Sequence, residues 1–214
     1  MRGDELRERL RGIRDELNSD HAIRLHRAIS WLRCAESYSG KDDDLSFITA
    51  WIALNSCYTI NDGLEFQSQR KEFNSLCTSL CNRGGKSQLY DSIWNKFPGF
   101  VRLLIGNKYL FPPFWKSQSS PDLEWEKKFK DDKAFAMKAL GKGDVAQLLS
   151  VVFDRLYTLR NQLFHGGATY GSGINRDQVI NGKKMLLEIV PIVIETMFDD
   201  SADWGEIFFP VIGD

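Results

Sequence analysis

The chain has 214 residues, 43% of them hydrophobic and 12% aromatic, which suits one globular domain with a sizeable core. Lysine and arginine (28) nearly balance aspartate and glutamate (29), leaving a formal charge of -1, so no global basic field exists and a bound polyanion would have to meet a local patch. No apolar run is long enough to span a bilayer and no signal peptide is evident, so a cytoplasmic location is expected.

Residues 4–17 carry Leu6, Leu10, Ile13 and Leu17 on one face amid dense mixed charge, which predicts an amphipathic helix in need of a partner surface. Asn18 and Ser19 interrupt it, and Ser19 is read as the cap of a second helix to about residue 38, with Leu25, Ile29 and Leu32 facing inward. The loop S-G-K-D-D-D then sets three carboxylates before a third helix, 45–60, where negative charge suits a helix N-terminus and needs no metal. That third helix is apolar round most of its circumference (Leu45, Phe47, Ile48, Trp51, Ile52, Leu54, Tyr58), so it is expected at the centre of the core, with Asn55 as a satisfied amide or a partner for a catalytic side chain.

A helix is predicted at 67–80. The following R-G-G-K-S lacks the first glycine of a phosphate loop, Leu80 holding that place, and reads as a Gly-Gly turn before a helix at 87–95. Residues 97–120 are aromatic-rich and broken by Pro98, Gly99, Gly106, Pro112 and Pro113. Their F-P-P-F-W suits a partner or base-stacking surface, but a loop packed over the core is the simpler expectation. Ser120 and Pro121 read as the start of a helix carrying Trp125 and Phe129, which Gly141 and Gly143 separate from the next. Cys34, Cys57, Cys77 and Cys81 are read as reduced thiols, and Cys77-x3-Cys81 has no second close pair to complete a zinc site.

The chain is organised around residues 144–167. Asp144 three residues before Gln147 marks a helix start, and Gly166 and Gly167 mark its end, giving about 20 residues and roughly 30 Å. Val145, Leu148, Val152, Leu156, Leu159 and Leu163 form the buried stripe. A second line runs Phe153, Tyr157, Arg160, Phe164, and a polar seam runs Asp154, Thr158, Asn161, His165, so the helix delivers an Arg, an Asn and a His to one end. Each has an ordinary reading as well, as a snorkelling arginine, a solvated face and a C-capping histidine. Beyond it, A-T-Y-G-S-G-I-N is a connector able to cover that end, and 175–198 is a long helix expected to kink at Pro191. The tail, 199–214, offers Trp204, Phe208 and Phe209 to its own surface or a neighbour's. The sum is an all-α bundle of about five or more helices in a single domain, 1–214, with 1–18 an amphipathic N-terminal helix.

The string R-N-Q-L-F-H, Arg160 to His165, resembles the Arg-x4-His signature of the HEPN superfamily (higher eukaryotes and prokaryotes nucleotide-binding), with Asn161 the polar residue that often follows the Arg. The segment D-L-S-F-I-T-A-W-I-A-L-N-S-C-Y and the phrase L-R-N-Q-L-F-H-G-G are also similar to the small stand-alone HEPN proteins of prokaryotic toxin and defence loci, and the resemblance covers most of 19–198. It implies a HEPN-like bundle acting as a metal-independent endoribonuclease that needs no cofactor. In it His165 moves protons, Arg160 stabilises the phosphate charge, and Asn161 orients one or the other. It also implies a homodimer with a composite site, because one histidine per chain cannot serve as both acid and base, and a cognate antitoxin or other defence protein as partner. Relatives paired with a nucleotidyltransferase carry an AMP-accepting tyrosine two residues after the His; here Gly167 stands there and the nearest is Tyr170, so control by AMP transfer is not expected. The competing expectations are a non-catalytic HEPN-like module that binds a protein or nucleotide, and an all-α interaction subunit contacting through F-P-P-F-W and the tail.

Overall fold

The computed structural model describes residues 2–58, 66–83 (66–70 as backbone alone), 85–120, 124–198, 204, 207 and 209–211. Expected features at 59–60, Gly84, Pro121 and Phe208 lie outside these. The described residues form ten α-helices and no strand, so the fold is all-α.

Helix α1 (Arg2–Ile13) is shorter than the periodicity predicts, because the chain tightens into a 3-10 turn at Arg14–Glu16. Leu6 and Leu10 still bury the expected face. Helix α2 (Ser19–Tyr38) is capped by Asn18 rather than Ser19: the Asn18 carboxamide oxygen accepts the Asp20 N–H at 2.9 Å. Either residue type suits a cap, and only the backbone path decides between them. Helix α3 (Asp43–Tyr58) lies most closely against α2 and α10 (Arg176–Phe198), with Leu25, Leu32, Phe47, Ala50 and Trp51 closed off from solvent.

A second group surrounds α9 (Val145–Phe164), the predicted central helix. Helix α4 (Phe66–Asn82) covers one side, and α6 (Pro98–Gly106) and α8 (Trp125–Lys142) the other. The predicted helix at 87–95 is split into a short α5 (Lys86–Tyr90) and a wider turn at Asp91–Lys96, where the Phe97 N–H reaches back five residues to the Ser92 carbonyl. Gly141 does not end α8. The helix continues to Lys142, and Gly143, at φ +67°, supplies the left-handed stop. Residues 97–120 are more helical than a packed loop: α6, a 3-10 turn at Lys108–Leu110 and α7 (Pro112–Ser119) follow one another, each proline at a helix start.

Helix α3 reaches α9 through rings rather than close backbone packing. Trp51 stacks on Phe153 at 4.8 Å between centroids, and Tyr58 meets the same ring edge-on at 5.9 Å. Helix α10 closes on both where Gly182 has no side chain, since a Cβ there would stand 3.0 Å from Phe47 and 3.1 Å from Leu156. One contiguous cluster of buried side chains draws on every helix except α7. Pro191 is buried in α10, which runs through it.

Candidate functional site

The end of α9 stands where its sequence puts it. The Asp144 carboxylate accepts the Gln147 N–H at 3.1 Å to start the helix, and His165 closes it, its N–H donating to the Asn161 carbonyl at 2.9 Å. Most of the predicted polar seam faces one cleft: Thr158, largely buried with its hydroxyl donating to the Asp154 carbonyl, lines an open space of about 720 Å³ together with Asn161 and His165. The His165 ring is exposed and makes no hydrogen bond among the described residues.

Arg160 is placed differently. Its guanidinium carbon lies 4.0 Å from the Phe164 ring centroid and 5.9 Å from that of Tyr157, a cation held between aromatics as the second line predicts. One terminal nitrogen donates to the Asn161 carboxamide oxygen at 2.9 Å, while Nε is buried with no hydrogen-bond partner among the described residues. Arg160 is not among the residues that line the cleft. Asn161 and His165 therefore share the cleft, and Arg160 is connected to it only through its bond to Asn161. Behind Arg160, the Tyr58 hydroxyl donates to Asn55 at 2.7 Å, and burial, with Glu72 and Tyr157 nearby, pushes that hydroxyl well above its ordinary pKa while Arg160 opposes the shift.

The opposite wall of the cleft is Tyr109, Pro112 and Trp115, from the aromatic stretch that includes F-P-P-F-W. The Trp115 indole N–H donates to the Tyr109 carbonyl at 2.7 Å, and the same carbonyl takes the Gln162 amide N–H at 2.8 Å. The other end of the Gln162 amide accepts from Asn175 at 3.0 Å. Gln162 thus staples the aromatic wall and the connector to α9, a role that no local signal announced, because its partners are remote in sequence. Phe111, which precedes Pro112, is buried with the Arg155 guanidinium 4.8 Å from its ring centroid. Arg155, not Arg160, is the deeply buried cation of α9, ion-paired to Asp132 of α8.

The acidic run does more than charge the start of α3. Asp42 accepts the Leu45 N–H at 2.9 Å and also the Tyr170 hydroxyl, and these two bonds hold its carboxyl below the usual carboxylate range. Asp43 pairs with Lys183. Asp44 accepts the Gly171 N–H at 2.8 Å and pairs with Arg176. The connector after His165 is thereby pinned across to α3, and its Gly167, Ile174 and Asn175 line the cleft. Tyr170 is 77% exposed, and its bond to Asp42 raises its hydroxyl pKa.

In the tail, Trp204 lies parallel to the His21 ring of α2, with centroids 6.3 Å apart, and Ile207 is buried, while Phe209 is exposed. The four cysteines are free thiols. Among the described residues no three His, Cys, Asp or Glu gather as a metal-binding group, and no helix is long and apolar enough to cross a membrane. Compared with family models, curated proteins and solved structures, the chain matches none.

Proposed function

We propose that the chain is a cytoplasmic, metal-independent endoribonuclease of the HEPN type, acting as a toxin or defence effector. The observation that carries the reading is the exposed, unengaged ring of His165 beside Asn161 in an open cleft, with the Arg160 guanidinium bonded to that same Asn161. In the reaction the ribose 2′-oxygen attacks the adjacent phosphorus as its proton leaves to a base, and the bond from phosphorus to the 5′-oxygen breaks as that oxygen takes a proton from an acid. The products are a 2′,3′-cyclic phosphate and a 5′-hydroxyl. An imidazole suits both proton steps because its unperturbed pKa lies near neutrality. The fork of Arg160 suits the charge on the pentacoordinate phosphorus, and Asn161 orients it.

Base and acid together need two histidines, so the active species is a two-fold homodimer that brings two copies of His165 to one cleft. Exposed Phe164 and Ile174 beside His165 give that end of the bundle apolar surface for a second copy. A monomer that cuts RNA would overturn this part. With Gly167 where relatives have their modified tyrosine, an antitoxin would act by blocking the site.

One observation favours a second reading: Arg160 packs on Phe164 and does not line the cleft, as in a non-catalytic HEPN-like module where the cation is structural. Incubating RNA in EDTA with the wild type and with His165→Ala, followed by end-group analysis, separates the two. Cutting that needs His165 and leaves cyclic phosphate supports the enzyme. Equal behaviour of both proteins supports the binding module.

A further inference from the structure

Tyr109 and Trp115 are each 47% exposed, although most aromatic side chains of α3 and α9 are buried. Their rings stand 6.4 Å apart at 47°, an open corner on the wall facing Asn161 and His165. The corner is braced by contacts within the chain. The Trp115 indole is bonded to the Tyr109 carbonyl, Gln162 holds that carbonyl from α9, and Phe114 backs both rings edge-on at 5.3 and 5.2 Å. Rings ordered in advance lose little entropy when a planar ligand stacks on them.

The charge around the corner also has a sign. The Lys108 ammonium lies 5.3 Å from the Tyr109 ring centroid and 5.4 Å from that of Phe114, Arg160 is bonded to Asn161 of the lining, and among the described residues no carboxylate lines the cleft. The oxygen of Asn161, which lines the cleft, accepts from Arg160, so a donor is what this side chain still has to offer a ligand.

We infer that the Tyr109–Trp115 corner is a stacking site for one unpaired RNA base, which sets the adjacent phosphodiester against His165. The inference rests on the ribonuclease reading and extends it to substrate class. A base inside a duplex has both faces covered by its neighbours, so only a base in a loop, bulge or single strand can use the corner. The staple through Gln162 ties the position of that base to α9, so the rings select where the chain is cut as well as whether it binds.

The test uses the full chain carrying His165→Ala, so that RNA survives, and fluorescence anisotropy with a labelled single-stranded oligoadenylate and with the same strand in a duplex. The single strand is expected to bind at least about tenfold more tightly than the duplex, and Trp115→Ala to weaken it about 5- to 150-fold, the range for loss of one base–aromatic stack. Trp115→Phe, which keeps a ring but loses the bond to the Tyr109 carbonyl, is expected to retain most of the affinity. Tyr109→Ala serves if Trp115→Ala fails to fold by circular dichroism. Equal affinity for strand and duplex, unchanged binding by Trp115→Ala, or a Phe variant as weak as the Ala variant would overturn the stacking site. If the wild type cuts through His165 while Trp115→Ala binds and cuts as before, the stacking site alone falls; if neither cutting nor binding is seen, the ribonuclease reading falls with it.

Discussion

Asp44→Ala removes the acceptor for the Gly171 N–H and the partner of Arg176 in one substitution. The Asp44 side chain is 5% exposed and that of Arg176 28%. Losing one partner of a fully buried pair costs about 3–5 kcal/mol and losing a surface pair about 0–1 kcal/mol. A pair sealed at one end and half-open at the other falls between, at about 2–3 kcal/mol. Asp44→Asn keeps an acceptor for Gly171 and loses only the charge, so it should cost less, about 1–2 kcal/mol. Urea unfolding followed by circular dichroism measures both, and an Asp44→Ala/Arg176→Met cycle should show a coupling above about 1 kcal/mol. The connector should also open locally, so limited proteolysis within 166–175 should quicken in Asp44→Ala before the core unfolds. A loss below about 0.5 kcal/mol, an additive cycle, or unchanged proteolysis of the connector would refute the claim that this carboxylate anchors it.

Phe153, buried between α3 and α4 against Trp51 and Tyr58, should cost about 3–5 kcal/mol on change to Ala; a urea midpoint close to wild type would deny the ring cluster its role. Burial pushes the Cys57 thiol up to about 12, so the native state keeps a proton that the unfolded chain loses above about pH 8.5. Its contribution is complete below that pH and falls as pH rises toward 12, by about 1.4 kcal/mol per unit, and Cys57→Ala should flatten the alkaline slope by that amount. His21 behaves oppositely: burial, despite its bond to the Met197 carbonyl, lowers its pKa, so the native ring stays neutral where the unfolded one charges. Its stabilising share is present above about pH 6.5 and lost as pH falls below it, and His21→Gln should remove part of the drop in Tm between neutral and mildly acidic buffer.

Helix α9 was legible because its signals are local: a capping carboxylate, a glycine stop and a three-four apolar stripe all lie within two dozen residues. The line of Arg160 among aromatics followed from the same periodicity. What the sequence did not disclose was long-range. Arg155 carries no local mark of burial, because its concealment depends on Phe111 and Asp132 arriving from α7's approach and from α8. The F-P-P-F-W stretch could be weighed only as packed loop or surface, and the fold makes it some of each, with Phe111 buried and Trp115 presented to the cleft. The acidic run reads locally as helix-end electrostatics, which holds for Asp42 and Leu45, but its bonds to Tyr170, Gly171 and Arg176 span more than 120 residues. Gly141 looked like a break since glycine marks helix ends, yet Gly143 takes the left-handed position and leaves Gly141 inside α8.

The placement of Arg160 bears on how a composite site would work. Asn161 and His165, four residues apart, stand about 40° apart round α9, whereas Arg160 and His165 stand about 140° apart. Arg160 is also held away from the cleft lining by Phe164. A phosphate against the His165 ring is therefore poorly placed for the same chain's guanidinium, and a second copy approaching this end by a two-fold axis is the economical source of the charge. If two copies of His165 work in one composite cleft, to which the second copy also brings its Arg160, coexpressing wild-type and His165→Ala chains in equal amounts should leave active only the dimers that hold both histidines. Random pairing makes a quarter of the dimers wild-type in both copies, so about a quarter of the wild-type rate should remain. If each chain instead works with its own His165 alone, half of the sites stay intact and about half of the rate should remain. Half of the rate would therefore refute the shared cleft.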